Sequence, residues 1–179
     1  ELRKGMAQFY AAARLCRYGI ASTLPLCEKL EKIVKSGVCI LHRNGLDKNN
    51  QIKLTEKNDQ SCIHIFYGSG TQAHNSDFIE QALPSLIKIL STYPQTRLVV
   101  VGYLKLPTEF IERFSHQLKQ VPPVKSIKAY WSLLQQADIN LAVLHDDEIN
   151  ACKSELKWFE AACFGIPSVV SSTKNYRDV

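Results

Sequence analysis

The amino-acid sequence predicts an α/β fold, a parallel β-sheet with helices packed on both of its faces. Three observations carry this. Short, nearly continuous apolar runs at residues 62–67, 97–101, 139–144 and 168–170 alternate with segments whose apolar residues recur at helical spacing. A strand apolar on both sides is one buried on both faces, which is the condition of a parallel sheet. The first run leads into a glycine-rich stretch, Gly68-Ser69-Gly70-Thr71, and the segment 153–167 reads as a helix closed by Gly165 and Pro167.

Taken in order, residues 1–17 form an Ala-rich helical pattern carrying Tyr10, Leu15 and Cys16. Ile20-Ala21-Ser22 reads as a short strand, and Thr23 followed by Pro25 opens a helix to about Val34. Residues 38–41 read as a strand and Asn44-Gly45 as a turn. The polar run 47–60 has the character of a linker or crossover. A domain boundary is therefore expected near residue 44, with residues 1–43 ending one domain and 44–179 forming a second.

Beyond the glycine stretch, Phe78 begins a helix expected to reach about Leu90, with Asp77 and Glu80 at capping-box spacing. Residues 108–119 are expected to be helical, and Val121-Pro122-Pro123 to break the chain. A short helix is expected from Tyr130 to Gln136. In the helix near 155, Ser154 is the expected cap, and Leu156, Phe159 and Cys163 define the expected buried face. Glu160 falls one turn after Leu156 on that face.

The composition is that of an ordinary globular protein: 179 residues, 45% apolar and 22% charged. No apolar run approaches the roughly 20 residues of a membrane span. The net charge of +5 is spread without a dense Lys/Arg block, so nucleic acid is not an expected partner. The excess suits an anionic ligand, or peripheral contact with an anionic membrane surface. The six cysteines include no Cys-x-x-Cys pair. They read as free thiols of a reducing compartment, which points to a cytoplasmic protein without a zinc site. The chain starts inside a helical pattern without an initiator Met and stops just after a strand signal, so a fragment is expected.

Parallel sheets bind ligands at the carboxyl ends of their strands. The loops after Tyr67, Val101 and Leu144 and the helix start near 155 are expected to share that edge. Free N–H groups of the helix start, Ser154 and Lys153 make a candidate anion site. Glu160, one turn further, suits the hydroxyls of a ribose. Gly68-Ser69-Gly70-Thr71 lacks the third glycine of a dinucleotide fingerprint and the Gly-Lys-Ser/Thr of a P-loop. His145-Asp146-Asp147-Glu148 has metal-ligand residue types but reads first as a solvated acidic loop, and no metal is assigned. His64 reads as a core histidine. Tyr130 and Trp131 read first as core packing and second as a platform for a base. No Ser/His/Asp or Cys/His arrangement for nucleophilic catalysis is visible.

Several blocks together resemble the retaining glycosyltransferases of family 4, whose architecture is the two-domain GT-B fold. They are Ile20-Ala21-Ser22-Thr23; Arg43-Asn44-Gly45-Leu46-Asp47; Ser69-Gly70-Thr71 with His74-Asn75 and Asp77-Phe78; and Ala137-Asp138-Ile139. The most specific is Lys153-Ser154-x-Leu156-Lys157-x-x-Glu160-Ala161-Ala162 with Gly165-Ile166-Pro167. The resemblance implies a Rossmann-like donor domain that holds a nucleotide-diphospho-sugar without metal or further cofactor. It implies transfer of the sugar, with retention, to the hydroxyl of a carbohydrate or lipid-linked acceptor, in polysaccharide or glycoconjugate synthesis at the inner face of a membrane. The donor-binding residues it implies are Gly70, Thr71, His74, Lys153, Ser154, Glu155, Leu156 and Glu160.

Glu160 matches the second of two family glutamates eight residues apart, the one that holds the ribose, and Cys152 occupies the first position. The family's Arg and Lys are absent from the Ser69–Asp77 loop, and Lys153 is expected to replace their charge. The chain by itself is expected to bind donor weakly and to transfer nothing. Two other readings are a non-catalytic nucleotide-sugar-binding or scaffolding module and a GT-B sugar-nucleotide epimerase. The Lys-Ser block argues against the epimerase.

Overall fold

A computed structural model of the chain describes residues 2–46, 54–57, 61–72 and 75–177. His74, Asp47 and most of the expected linker lie outside the described residues. The first elements are α1 (Leu2–Leu15), β1 (Gly19–Ala21), α2 (Leu24–Glu31) and β2 (Cys39–Leu41), with β1 and β2 paired in parallel. Then follow β3 (Ile63–Ser69), α3 (Asn75–Gln81), α4 (Leu83–Thr92), β4 (Thr96–Gly102), α5 (Thr108–Arg113) and β5 (Leu118–Val121). The chain continues through α6 (Ile127–Leu134), β6 (Ile139–Ala142), α7 (Glu148–Ala151), α8 (Leu156–Cys163) and β7 (Ser168–Val170).

The five strands from β3 onward form one all-parallel sheet in the order β5-β4-β3-β6-β7. This is the expected Rossmann-like architecture. Alternation along β3 explains how both faces are buried, because successive side chains point to opposite sides. Ile65 and Tyr67 join Phe78, Leu86, Leu98 and Phe110 on one face, while Phe66 joins Leu134, Ala161 and Ile166 on the other. The strand order reverses between β3 and β6, which opens a crevice at the carboxyl edge.

Several local expectations are corrected. The single helix expected over 78–90 is two helices, with Ala82 between them and Pro84 in the first turn of the second. Asp77 is not the N-cap residue of this segment, because α3 begins at Asn75. It lies inside α3, where its buried carboxylate accepts the His145 N–H at 3.1 Å. The helix expected to reach residue 119 stops at Arg113, and an edge strand, β5, follows it. The buried Gln117 amide nitrogen decides this, donating to the carbonyls of Leu90, Tyr93 and Thr96 at 3.1–3.2 Å. A side chain that satisfies three carbonyls ties residue 117 to the sheet and takes it out of the helical path. The acidic stretch at 145–148 is not a plain loop either. Asp147 accepts from the N–H groups of Ile149 and Asn150 and caps the one-turn α7.

The start of α8 also differs. Glu155, not Ser154, holds the N-cap position, and no side chain caps the helix. Leu156 is exposed, and the inward face centres on the fully buried Ala161. Phe159 and Cys163 are only half-buried. Gly165 ends the element with φ +71°, the left-handed turn its position predicts.

Candidate functional site

A cavity of about 680 Å³ opens at the carboxyl edge of β3 and β4. Its floor is glycine. Gly68 and Gly70 come from the end of β3, and Gly102 from the end of β4 with φ +110°. A Cβ on Gly102 would strike the Ser69 carbonyl, and one on Gly68 would strike the Tyr130 hydroxyl. Backbone and ligand can therefore approach here as no other residue would allow. Lys125 and Ser126, from the β5–α6 connection, and Ile127, at the start of α6, contribute to the lining. Tyr130 of α6 and Lys157 and Glu160 of α8 line it as well.

Glu160 is held between two helices. The indole Nε1–H of Trp131 donates to its Oε1 at 3.0 Å. Burial pushes the Glu160 carboxyl above its ordinary value, while the Trp131 bond and the charge of Lys157 pull it back. The carboxylate thus lines the cavity already fixed by one donor. Tyr130 packs edge-on against Phe66, with ring centroids 5.6 Å apart, and burial drives its hydroxyl far above the usual tyrosine range.

Lys157 lies one turn before Glu160. Its buried ammonium sits 4.8 Å from the centroid of the Tyr67 ring. Burial, together with the repulsion of Lys153, pulls its pKa down to about 8, against the attraction of Asp77 and Glu160.

The expected donor residues divide between this cavity and a second place. Gly70 and Glu160 line the cavity. Thr71 is exposed beside it, its carbonyl accepting the Ser69 hydroxyl at 2.9 Å. His74 lies outside the described residues. Lys153 does not line the cavity; its ammonium donates to Asn150 Oδ1 at 2.5 Å and its carbonyl accepts from Asn175. Ser154 Oγ accepts from Asn44 at 2.8 Å. Glu155 is buried, faces Arg43 at 3.6 Å, and lines a small cavity of about 110 Å³ with Thr23, Pro25 and Lys174. Leu156 faces solvent and lines neither cavity.

These contacts, with Thr23 donating to the Cys152 carbonyl at 2.9 Å and Lys29 paired to Glu148, join the β1–β2 unit to α7 and the start of α8. Sequence reasoning missed Lys157, Gly102 and the 125–127 lining. A lysine set inside an apolar helical run, three residues before the singled-out glutamate, is the available signal for the first.

Among the described residues, no group of three or more His, Cys, Asp or Glu side chains is arranged to hold a metal ion. No described helix is long and apolar enough to cross a membrane.

No protein-family model matches the chain, and no curated protein matches it. Solved structures do. The Anabaena protein HepE, crystallised with UDP and glucose, aligns at 14% identity and a TM-score of 0.59, over 90% of this chain and 46% of that one. WaaG, a glycosyltransferase involved in lipopolysaccharide biosynthesis, aligns at 15% identity and a TM-score of 0.60, over 89% and 45%. The fold is that of the GT-B glycosyltransferases. A mutant of S. aureus TarM, in complex with Fondaparinux, alpha-GlcNAc-glycerol and UDP, gives 11% identity and a TM-score of 0.60, over 96% and 33%. At these identities the likeness is one of fold. The chain spans less than half the length of each of these GT-B structures.

Proposed function

We propose that this chain is the donor-binding part of a glycosyltransferase that moves a sugar from a nucleotide-diphospho-sugar to an acceptor hydroxyl with retention. The observation that carries the reading is Glu160, held by Trp131 on the wall of a glycine-floored cavity at the carboxyl edge of a parallel sheet. The cavity volume suits a ligand of nucleotide size. Glu160 accepts the ribose hydroxyls, as the resemblance of the segment 153–167 to family 4 implies. The diphosphate lies against the glycine backbone, where oriented N–H groups and cationic charge stabilise it as it departs.

The acceptor is a carbohydrate or a lipid-linked sugar, and synthesis of polysaccharide or glycoconjugate is the setting. Residues 1–43 belong to the acceptor-side domain and 44–179 to the donor side. All six cysteines are free thiols, in keeping with a cytoplasmic enzyme working at the inner face of the membrane.

A second reading has one observation in its favour. Cys152 stands where the family's first glutamate would contact the donor sugar, and its thiol is turned to the Glu148 carbonyl at 3.3 Å. A module that binds the nucleotide sugar without transferring it would tolerate that exchange.

The test is a melting-temperature panel with UDP, GDP, dTDP and ADP on the full chain and on Glu160→Ala. A ligand at a hundred times its Kd stabilises by roughly 2.7 kcal/mol, or about 5–10 °C for a domain of this size. A rise with one base series, lost in Glu160→Ala, is the expected result. No rise with any nucleotide at millimolar concentration overturns the donor-site reading. Binding by this chain, with no transfer to any acceptor even when the acceptor-side domain is supplied, selects the second reading.

A further inference from the structure

Buried polar groups in proteins are hydrogen-bonded almost without exception, and a buried ammonium carries three donors that need acceptors. Among the described residues, two buried side-chain polar atoms have no hydrogen-bond partner: Lys157 Nζ and Tyr67 Oη. They belong to neighbouring side chains, with the ammonium lying over the Tyr67 ring. The lysine lines the cavity. Two orphaned groups on adjoining side chains, one of them in a residue that lines the largest cavity described, are a different matter from a stray unsatisfied atom in the core.

The charge environment sharpens the point. Asp77 and Glu160 attract the ammonium without bonding to it, and Lys153 repels it. Taking an ion from water without a bonded counter-ion carries a desolvation penalty that packing alone does not return. The chain retains this penalty in a residue that lines an open cavity with a glycine floor. An anion with several acceptor oxygens is the chemistry that matches three unpartnered ammonium donors. Residues 69–72 carry no basic side chain, and Lys153, bonded to Asn150, does not line the cavity; Lys125 is the other lysine that does.

We propose that Lys157 is the residue that binds the diphosphate of the donor, its ammonium supplying the charge-assisted hydrogen bonds for which Lys153 is the sequence-based candidate. The proposal rests on the donor-site reading above and adds its anion-binding residue. Lys157 then performs two linked tasks. It neutralises the diphosphate in the bound donor, and it stabilises the added negative charge as the bond between the anomeric carbon and the diphosphate oxygen breaks and the electron pair passes to that oxygen, while the acceptor hydroxyl oxygen bonds to the anomeric carbon and its proton passes to the departing diphosphate. Glu160, one turn further along the same helix, positions the ribose, so one helical face reads adjacent parts of the nucleotide.

The experiment compares Lys157→Met and Lys157→Gln with the unmodified full chain. Calorimetric titration measures Kd for UDP, GDP, dTDP and ADP, each beside its own nucleoside, and melting is followed without ligand. The expected result is a Kd for the recognised diphosphate raised about ten- to a hundred-fold, with the nucleoside changed by less than about two-fold. The ligand-free variants are expected to melt about 2–8 °C higher, because an uncompensated buried charge has gone.

Equal diphosphate affinity in variant and parent overturns the proposal, and the donor-site reading survives if Glu160→Ala still loses the nucleoside. Absence of any nucleotide or nucleoside binding by the parent overturns both. Loss of folding in both variants makes Lys157 part of the fold's own support and overturns the proposal as well.

Discussion

Trp131 donates its indole N–H to Glu160 across 3.0 Å, and this bond joins α6 to α8 at the wall of the cavity. It also explains why a half-buried carboxylate is tolerated there, since burial raises the Glu160 carboxyl and Trp131 is the first group that offsets it. Replacing Trp131 with Phe keeps an aromatic ring against Phe164 but removes the donor. The expected cost is about 1–3 kcal/mol, seen as a melting temperature lower by about 3–10 °C. In a double-mutant cycle with Glu160→Gln, the two changes are expected to couple by about 1 kcal/mol or more. Strict additivity would show that the bond carries no energy.

Lys157 predicts an unusual alkaline response. Its pKa falls from the ordinary 10.5 to about 8, chiefly through burial. Between those values the native state binds fewer protons than the unfolded chain, so this group's contribution to stability rises with pH. The penalty is full below the folded pKa and gone above the unfolded one. In chemical denaturation at a series of pH values, Lys157→Met is therefore expected to be the more stable protein below pH 8. Its advantage should shrink by roughly 2–4 kcal/mol as pH approaches the unfolded pKa. A difference that does not change with pH would contradict the buried, charged assignment.

The glycine floor makes a prediction of its own. Gly102→Ala places a Cβ against the Ser69 carbonyl at a φ of +110°, and backbone on both sides has nowhere to move. The expected loss is roughly 2–4 kcal/mol, measured by denaturant unfolding. Gly68→Ala meets a side chain, the Tyr130 ring and hydroxyl, and so costs less. Adding Tyr130→Phe should restore part of that loss. The same second change should restore nothing in Gly102→Ala.

Acid should weaken the contact between residues 54–57 and the sheet. Lys57 donates to Asp138, whose carboxylate also accepts the His64 N–H at 2.6 Å. Burial alone would raise the Asp138 carboxyl, but the Lys57 bond and the His64 N–H outweigh it and hold the group below its usual 3.8. A depressed carboxyl contributes stability that is present above the unfolded pKa and is lost as pH falls through the folded one. Asp138 is partly exposed, so Lys57→Ala is expected to cost only about 0.5–1 kcal/mol at neutral pH, less at high salt. That cost should shrink below the folded pKa to what the Lys57 bond to the Cys62 carbonyl, at 2.7 Å, contributes. Persistence of the full effect in acid would assign it to packing of the lysine stem.

Much of the fold is determined locally. Apolar runs such as 62–67 and 97–101 have one low-energy use, as strands covered on both faces, so the parallel sheet and its carboxyl edge are legible in the sequence. Gly165 is legible for a similar reason, because a left-handed φ suits glycine above all other residues. Glu160 stands out as a carboxylate in an apolar helical run.

The remaining features depend on what lies across the fold. The helix expected to run to residue 119 ends early because Gln117 meets three carbonyls from the α4–β4 region. Spacing alone places Leu156 inward, yet α8 turns Lys157, Glu160 and Ala161 toward the sheet and leaves Leu156 in water. Helical periodicity fixes which residues share a face, but contact with neighbouring elements decides which face is buried. Lys153 and Lys157 look equivalent in the sequence. Only the tertiary structure gives one a partner in Asn150 and leaves the other's ammonium buried and unbonded in a residue that lines the cavity, because burial and hydrogen bonding are properties of the assembled surroundings.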